Sequence, residues 1–194
     1  MNWLIELDGA ILLWIQENLR HEILTPLFQG ITRLGDSGFI WILLTLILLL
    51  IPKTRKLGIM AAASLLLSLL INNVCLKNWV ARIRPYEVID GLTLITRTPA
   101  DYSFPSGHTA SSFCAAVVLW KSSLYYQKTH NPAYCFPYPA GIAVMILAVL
   151  ISFSRLYVGV HYPTDVLGGL ISGVLIGSFV FHISKKVIDK KSQL

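Results

Sequence analysis

Two stretches of this chain, 57–76 and 136–153, contain no charged residue, and a third, 166–183, contains only His182 as a titratable group. Each is close to the ~20 apolar residues that a helix needs to cross a bilayer. The composition agrees. Hydrophobic residues make up 55% of the 194 and charged residues 13%, with a mean hydropathy of +0.64, which excludes an ordinary soluble domain.

Two weaker stretches extend the pattern. Residues 39–51 are shorter but intensely apolar. Residues 106–126 are rich in Ser and Ala and carry Lys121, so they read as a helix buried among the others, with Lys121 snorkelling to the interface. Near the N-terminus Trp3, Leu4, Leu7, Ile11, Trp14 and Ile15 repeat at helical spacing, with Glu6, Gln16 and Glu17 between them. That is an amphipathic helix resting on the interface or the bundle. Glu6 and Asp8 stand where a signal peptide would be basic. Pro26, Gly30 and Gly35 break up 22–36 and leave a sixth span open. The expectation is an all-α integral-membrane bundle of five to six spans in one domain. It would have an N-terminal interfacial region (1–35), a transmembrane catalytic core (38–183) and a cytoplasmic basic tail (184–194).

Loop charge orients this bundle. Lys53, Arg55 and Lys56, then Lys121 and Lys128, then Lys185, Lys186, Lys190 and Lys191 fall on one side, with Asp189 as their only acid. By the positive-inside rule that side is cytoplasmic. The net charge of +6 is then mostly topological. It is split between two faces rather than gathered in a stripe, and calls for no nucleic acid. Cys75, Cys114 and Cys135 are too far apart for a metal motif or disulfide framework, and read as small buried hydrophobes.

Three polar segments lie on the opposite side: Lys77 to Pro85, Pro105-Ser106-Gly107-His108, and Ser154-Arg155 followed by His161 and Asp165. Charge at membrane depth is costly, so these residues are functional candidates. Lys77 and Arg84 are seven apart, two turns of a helix, and would share a face ended by Pro85. A lysine and an arginine fork converging on one spot suit a phosphoryl group. Taken singly they fit snorkelling residues better, but the positive-inside rule depletes such residues on this side. Ser106 is a good N-cap, Gly107 permits close backbone approach, and a helix N-terminus offers free N–H groups to an anion. His108 would stand in that first turn, although the four residues alone fit an ordinary Ser-capped helix equally well. Pro163 starts another helix with Asp165 in its first turn. His161, four residues earlier, could be fixed by Asp165 in the tautomer that leaves its other nitrogen free to attack.

The three segments resemble the signature motifs of the type 2 phosphatidic acid phosphatase superfamily: Lys-x6-Arg-Pro, Pro-Ser-Gly-His and Ser-Arg-x5-His-x3-Asp. That superfamily includes bacterial lipid phosphatases, glucose-6-phosphatase and vanadium haloperoxidases. Lys77 to Pro85, Pro105 to His108 and Ser154 to Asp165 match without a departure. The resemblance implies a cofactor-free and metal-free phosphatase in a bacterial plasma membrane. His161 would be the nucleophile, Asp165 its orienting acid and His108 the general acid. Lys77, Arg84, Arg155, Ser106 and the Gly107 backbone would hold the phosphate. Undecaprenyl diphosphate, phosphatidylglycerophosphate and phosphatidic acid are the implied substrates, acted on at the outer face. Two alternatives remain. A vanadate-dependent peroxidase fits less well because such proteins are mostly soluble. A non-catalytic lipid-phosphate binder or transporter would not require His161, Asp165 and His108 together. Arg82 and Arg97 have no role that the pattern supplies.

Overall fold

The computed structural model describes residues 2–191. The helices are α1 (Asn2–Asn18), α2 (Leu24–Leu34), α3 (Phe39–Leu50), α4 (Arg55–Ser68), α5 (Lys77–Val80), α6 (Gly107–Thr129), α7 (Tyr138–Tyr157) and α8 (Pro163–Lys191). A π-helical stretch, Leu69–Leu76, joins α4 to α5 without a break. No strand occurs among the described residues.

The Ser- and Ala-rich segment is the core. Helix α6 packs against α4, α7 and α8, and Ala110, Cys114, Ala116 and Val118 on it are fully buried. Its serines do not waste their hydroxyls. Ser122 Oγ donates to Val118 O at 2.8 Å, and Ser112 Oγ accepts from Trp41 Nε1 at 2.8 Å. The fit against α8 depends on three glycines spaced by four. A Cβ at Gly169, Gly173 or Gly177 would lie 2.6–2.7 Å from the carbonyl oxygens of Ser106, Ala110 and Cys114. Small residues at this spacing let two helix backbones approach closely, which compensates for the weak hydrophobic drive between helices in lipid. An alanine at Gly173 would overpack this seam at a cost of about 1–3 kcal/mol.

The exterior is apolar. Leu46, Leu50, Ile59, Leu66, Val149 and Leu175 are among many large side chains left exposed around the bundle. A surface this apolar suits a hydrocarbon solvent, and the protein is an integral membrane protein. Among the described residues three helical segments, Arg55–Glu87, Pro132–Tyr157 and Pro163–Lys190, are long and apolar enough to cross a membrane. The pair Leu24–Leu34 and Asp36–Leu50 makes a fourth if counted together, but it is bent by 49°. The bend has a local cause: Ser37 and Gly38 both have positive φ.

The N-terminal helices cover the end of the bundle that carries the three motifs. Helix α1 buries Asp8, Leu12 and Ile15 and exposes Trp3, Leu4, Leu7 and Trp14. Gln16 Nε2 donates to Gly91 O at 2.9 Å, and Arg20 Nη1 to Thr93 O at 2.7 Å. From α2, Gln29 Nε2 donates to Ile95 O at 2.7 Å.

Two expectations need correction. Lys77 and Arg84 do not share a helix. Ala81 adopts a left-handed conformation (φ 48°), its N–H caps Lys77 O, and the chain leaves the axis extended, with Arg84 at ψ 150°. Periodicity could not foresee this, because alanine is the strongest helix former and rarely enters that region. Cys75 is exposed rather than buried, while Cys114 is fully buried and Cys135 partly so. Helix α8 runs on to Lys191, into the basic segment that begins at 184.

Candidate active site

The ends of α2, α5, α6 and α7 surround one cavity of about 670 Å³. Lys77, Arg84, Gly107, His108, Arg155 and His161 line it, so six of the eight sequence-identified residues face the same space. One wall is apolar, formed by Ile42, Leu46 and Leu49 of α3, Leu65 and Leu66 of α4, and Leu69, while Thr45, Ser68, Asn73, Asp101 and Ser111 add polar groups to the lining.

His161 sits in the turn between α7 and α8 and is 1% exposed, so it is a packed residue as well as a polar one. Asp165 Oδ2 lies 3.4 Å from its Nδ1 and accepts from it in the tautomer that leaves the Nε2 lone pair free. The Asp165 carboxylate is itself held by four donors. Tyr162 N–H (2.9 Å) and Ser103 Oγ (2.5 Å) reach Oδ2, Arg82 Nη1 (2.6 Å) reaches Oδ1, and the His161 ring completes the set. Burial pushes the His161 pKa down to about 3; the Asp165 hydrogen bond opposes this, and the Arg155 and Arg84 charges add to it. The imidazole is therefore neutral at ordinary pH.

The cations come from three elements. Arg84 Nη1 donates to Val160 O at 2.8 Å and lies 3.5 Å from His161 Nε2, which ties the first motif to the third. Lys77 Nζ pairs with Asp101 Oδ2, and Arg84 Nη2 with Asp101 Oδ1 at 2.5 Å. Burial raises the Asp101 pKa, but the hydrogen bonds and charges of Lys77 and Arg84 outweigh it and hold the carboxyl below the usual range. Arg155 Nη1 donates to Thr32 Oγ1 at 2.5 Å, while its buried Nε has no partner among the described residues. A buried guanidinium N–H left without an acceptor is costly unless a ligand supplies one.

At the start of α6, Ser106 caps the helix: its Oγ accepts from Thr109 N at 3.4 Å and from Thr109 Oγ1 at 3.0 Å. Ser106 is fully buried, and its backbone N–H donates to Asp165 O at 3.1 Å. Its side chain is thus committed to the cap, and it is Gly107 and His108 that reach the cavity. His108 Nε2 is 3.0 Å from Asp36 Oδ1. Gly35 makes this approach possible, since a Cβ there would lie 2.6 Å from His108 Cδ2.

Several contributors escaped the sequence reading. Asp36 and Thr32 come from the N-terminal segment that carries no recognisable signature. Asp101 sits in the 81–105 connection. Asn73, on the π-helical stretch, lines the cavity beside Gly107. A π turn often marks a functional site, but the sequence gives it no signal. Arg97 is exposed and outside the cavity lining.

Known proteins resemble this chain in sequence and in fold. The sequence profile of the PAP2 superfamily matches residues 56–189. An undecaprenyl-diphosphatase of Sulfolobus acidocaldarius is 35% identical over 149 residues, covering 77% of this chain and 64% of that protein, so the match spans just under two thirds of its length. Phosphatidylglycerophosphatase B of Bacillus subtilis is 32% identical over 174 residues, covering 87% of this chain and 79% of that protein. In three dimensions the chain is similar to the crystal structure of a transmembrane PAP2-type phosphatidylglycerolphosphate phosphatase from Bacillus subtilis. The TM-score is 0.75 at 29% identity, over 96% of this chain and 89% of that one.

Proposed function

Because this chain belongs to the PAP2 superfamily, we propose that it hydrolyses a lipid phosphate or diphosphate through a phosphohistidine on His161. The observation that carries this reading is the convergence on one cavity of Lys77, Arg84 and Arg155 with two histidines, each backed by a carboxylate.

The phosphate sits among the three cations and the free N–H groups at the start of α6, with Arg155 Nε as one donor awaiting an acceptor. The His161 Nε2 lone pair attacks phosphorus, the bond from phosphorus to the leaving oxygen breaks, and His108 gives that oxygen a proton. Water then attacks the phosphohistidine, His108 takes a proton from it, and the P–N bond breaks to release inorganic phosphate. Arg84, 3.5 Å from Nε2, is placed to stabilise the charge that builds on the phosphoryl oxygens during both steps. Ser106 acts through its cap, which fixes the position of Gly107 and His108. Three clustered cations disfavour a metal ion at the same spot and supply the charge it would bring.

The apolar wall between α3 and α4 supports a lipid as the leaving group. Undecaprenyl diphosphate and phosphatidylglycerophosphate are the substrates we put first, because relatives named for them match over most of this chain. Phosphatidic acid follows on family grounds. We further propose five spans, α3, α4 with α5, α6, α7 and α8, with α1 and α2 resting on the motif-bearing end. Lys53, Arg55, Lys128 and Lys186 lie at the opposite end, which favours an outward-facing site. The test is phosphate release from a panel of diphosphate and monophosphate lipids by purified protein in detergent, with and without EDTA. Release that survives EDTA is expected, and a preference within the panel identifies the substrate. Binding of every lipid without release would instead establish a lipid-phosphate binder.

A further inference from the structure

Asp165 and Asp8 are fully and almost fully buried, and one guanidinium bridges them. Arg82 Nη1 donates to Asp165 Oδ1 at 2.6 Å, and Arg82 Nη2 donates to Asp8 Oδ2 at 2.9 Å. The same Nη1 reaches Thr164 Oγ1 at 2.7 Å, and the guanidinium carbon stacks 3.8 Å over the Tyr162 ring. Asp8 is doubly committed. Its Oδ1 accepts from the Thr164 N–H at 3.0 Å and its Oδ2 from Thr164 Oγ1 at 2.5 Å, so it caps α8 from another helix.

On this basis, and resting on the phosphohistidine reading above, we propose that Asp8 and Arg82 are positioning residues for His161, joined to it through Asp165. The chain of contacts is continuous: α1 holds Arg82, Arg82 fixes one oxygen of Asp165, and the other oxygen fixes Nδ1 of the nucleophile. Burying an isolated carboxylate is prohibitive, and two carboxylates around one arginine satisfy the arginine's fork and both acids together. Arg82 therefore differs from Lys77 and Arg84, whose ammonium and guanidinium reach Asp101 at the phosphate cavity. Its role also places α1, which precedes the 56–189 region matched by the family profile, inside the catalytic apparatus.

The chemistry sets the expected result. A nucleophile misaligned by a fraction of an ångström loses rate without losing substrate affinity, and a displacement near 1 Å costs about a hundredfold. Arg82→Gln should lower kcat about a hundredfold, with the inhibition constant for inorganic phosphate unchanged within about twofold, because the phosphate cradle is untouched. Arg82→Lys, which keeps the charge but loses the fork, should recover part of that loss. Asp8→Asn keeps an acceptor for the Thr164 N–H but removes the charge and turns an amide NH2, a donor, toward Arg82 Nη2; a loss of about tenfold in kcat is expected. The double variant Asp8→Asn/Arg82→Gln should be no worse than Arg82→Gln alone, since the two residues act in one chain.

The assay is lipid hydrolysis by purified, monodisperse protein, with inhibition by inorganic phosphate as the measure of an intact cradle. Wild-type kcat in Arg82→Gln would overturn the proposal. A weakened inorganic-phosphate constant would overturn it as well, by making Arg82 a phosphate ligand. Multiplying losses in the double variant would mean the two residues act separately, and that too would end it. If Arg82→Gln does not fold, Asp8→Asn and Arg82→Lys carry the same comparison, and unchanged kcat in both refutes it. Failure of the wild-type protein to hydrolyse any lipid phosphate would be a different result, refuting the phosphatase reading itself.

Discussion

Asp101 grips Arg84 twice: Arg84 Nη2 donates to its Oδ1 at 2.5 Å and Arg84 Nε donates to its backbone oxygen at 2.8 Å. With Lys77 on Oδ2, the half-exposed Asp101 side chain presents two anionic oxygens where a phosphate would present its own. On the proposed mechanism, the substrate displaces this carboxylate to reach both cations.

Asp101→Asn should therefore tighten inhibition by vanadate or inorganic phosphate. Charge-assisted contacts are worth about 1.5–3 kcal/mol each, and relief of part of that is expected to lower the inhibition constant about tenfold. Inhibition curves for the two proteins at one pH decide it. A weaker constant in Asp101→Asn would show that the carboxylate organises the cations rather than competing for them.

His161→Ala should lose at least about 10⁴ of kcat, as removal of a covalent nucleophile does. Because His161 is fully buried, the substitution also leaves a cavity and should lower thermal stability modestly. Quenching with ³²P-labelled lipid phosphate should trap an acid-labile, alkali-stable protein label in the wild type and none in the variant. Label retained in His161→Ala would place the nucleophile elsewhere.

The pH dependence follows from the depressed His161 pKa of about 3. On the proposed mechanism the neutral form is the nucleophile, and protonation as pH falls through that value removes it. Between pH 7 and 5 the imidazole stays neutral, so kcat/KM should show no tenfold-per-unit loss beginning near 6.5, the unperturbed histidine value. A pH–rate profile on a soluble short-chain phosphate measures this, and an acid limb that starts at 6.5 and vanishes in no other variant would contradict the burial argument.

Arg84→Lys and Arg155→Lys should each cost about a hundredfold or more in kcat/KM, because lysine reproduces neither the fork nor the secondary bonds to Val160 O and Thr32 Oγ1. Arg97→Lys, at an exposed position outside the cavity, should keep near-normal activity. Parallel kinetics on the three variants suffice, and equal losses at all three would mean that the phosphate ligands are misassigned.

Sidedness can be read with single cysteines at the exposed positions Glu6, Lys53, Asp90 and Lys190, in a background lacking Cys75, Cys114 and Cys135. In intact cells an impermeant thiol reagent should label positions 6 and 90 and spare 53 and 190. The opposite pattern would turn the site toward the cytoplasm. Labelling at 90 without 6 would restore the sixth span.

The sequence alone determined the apolar stretches, and with them a helical membrane bundle, because uncharged runs near twenty residues leave little other choice. It also determined the chemical parts. Pro163 and Asp165 at the start of α8 and Ser106 at the start of α6 are local signals, set by capping within one turn, and the helices begin where those signals stand. The glycine seam of α8 is equally present in the sequence, as small residues at a spacing of four. What only the tertiary structure decided are the long-range pairs. Asp8 with Arg82, Asp36 with His108, Thr32 with Arg155 and Asp101 with Lys77 join residues 24 to 123 positions apart. None has a periodicity to betray it. Each exists because a buried charge must find a partner wherever the fold brings one within reach, and that reach is set by how α1, α2 and the 81–105 segment close over the end of the bundle.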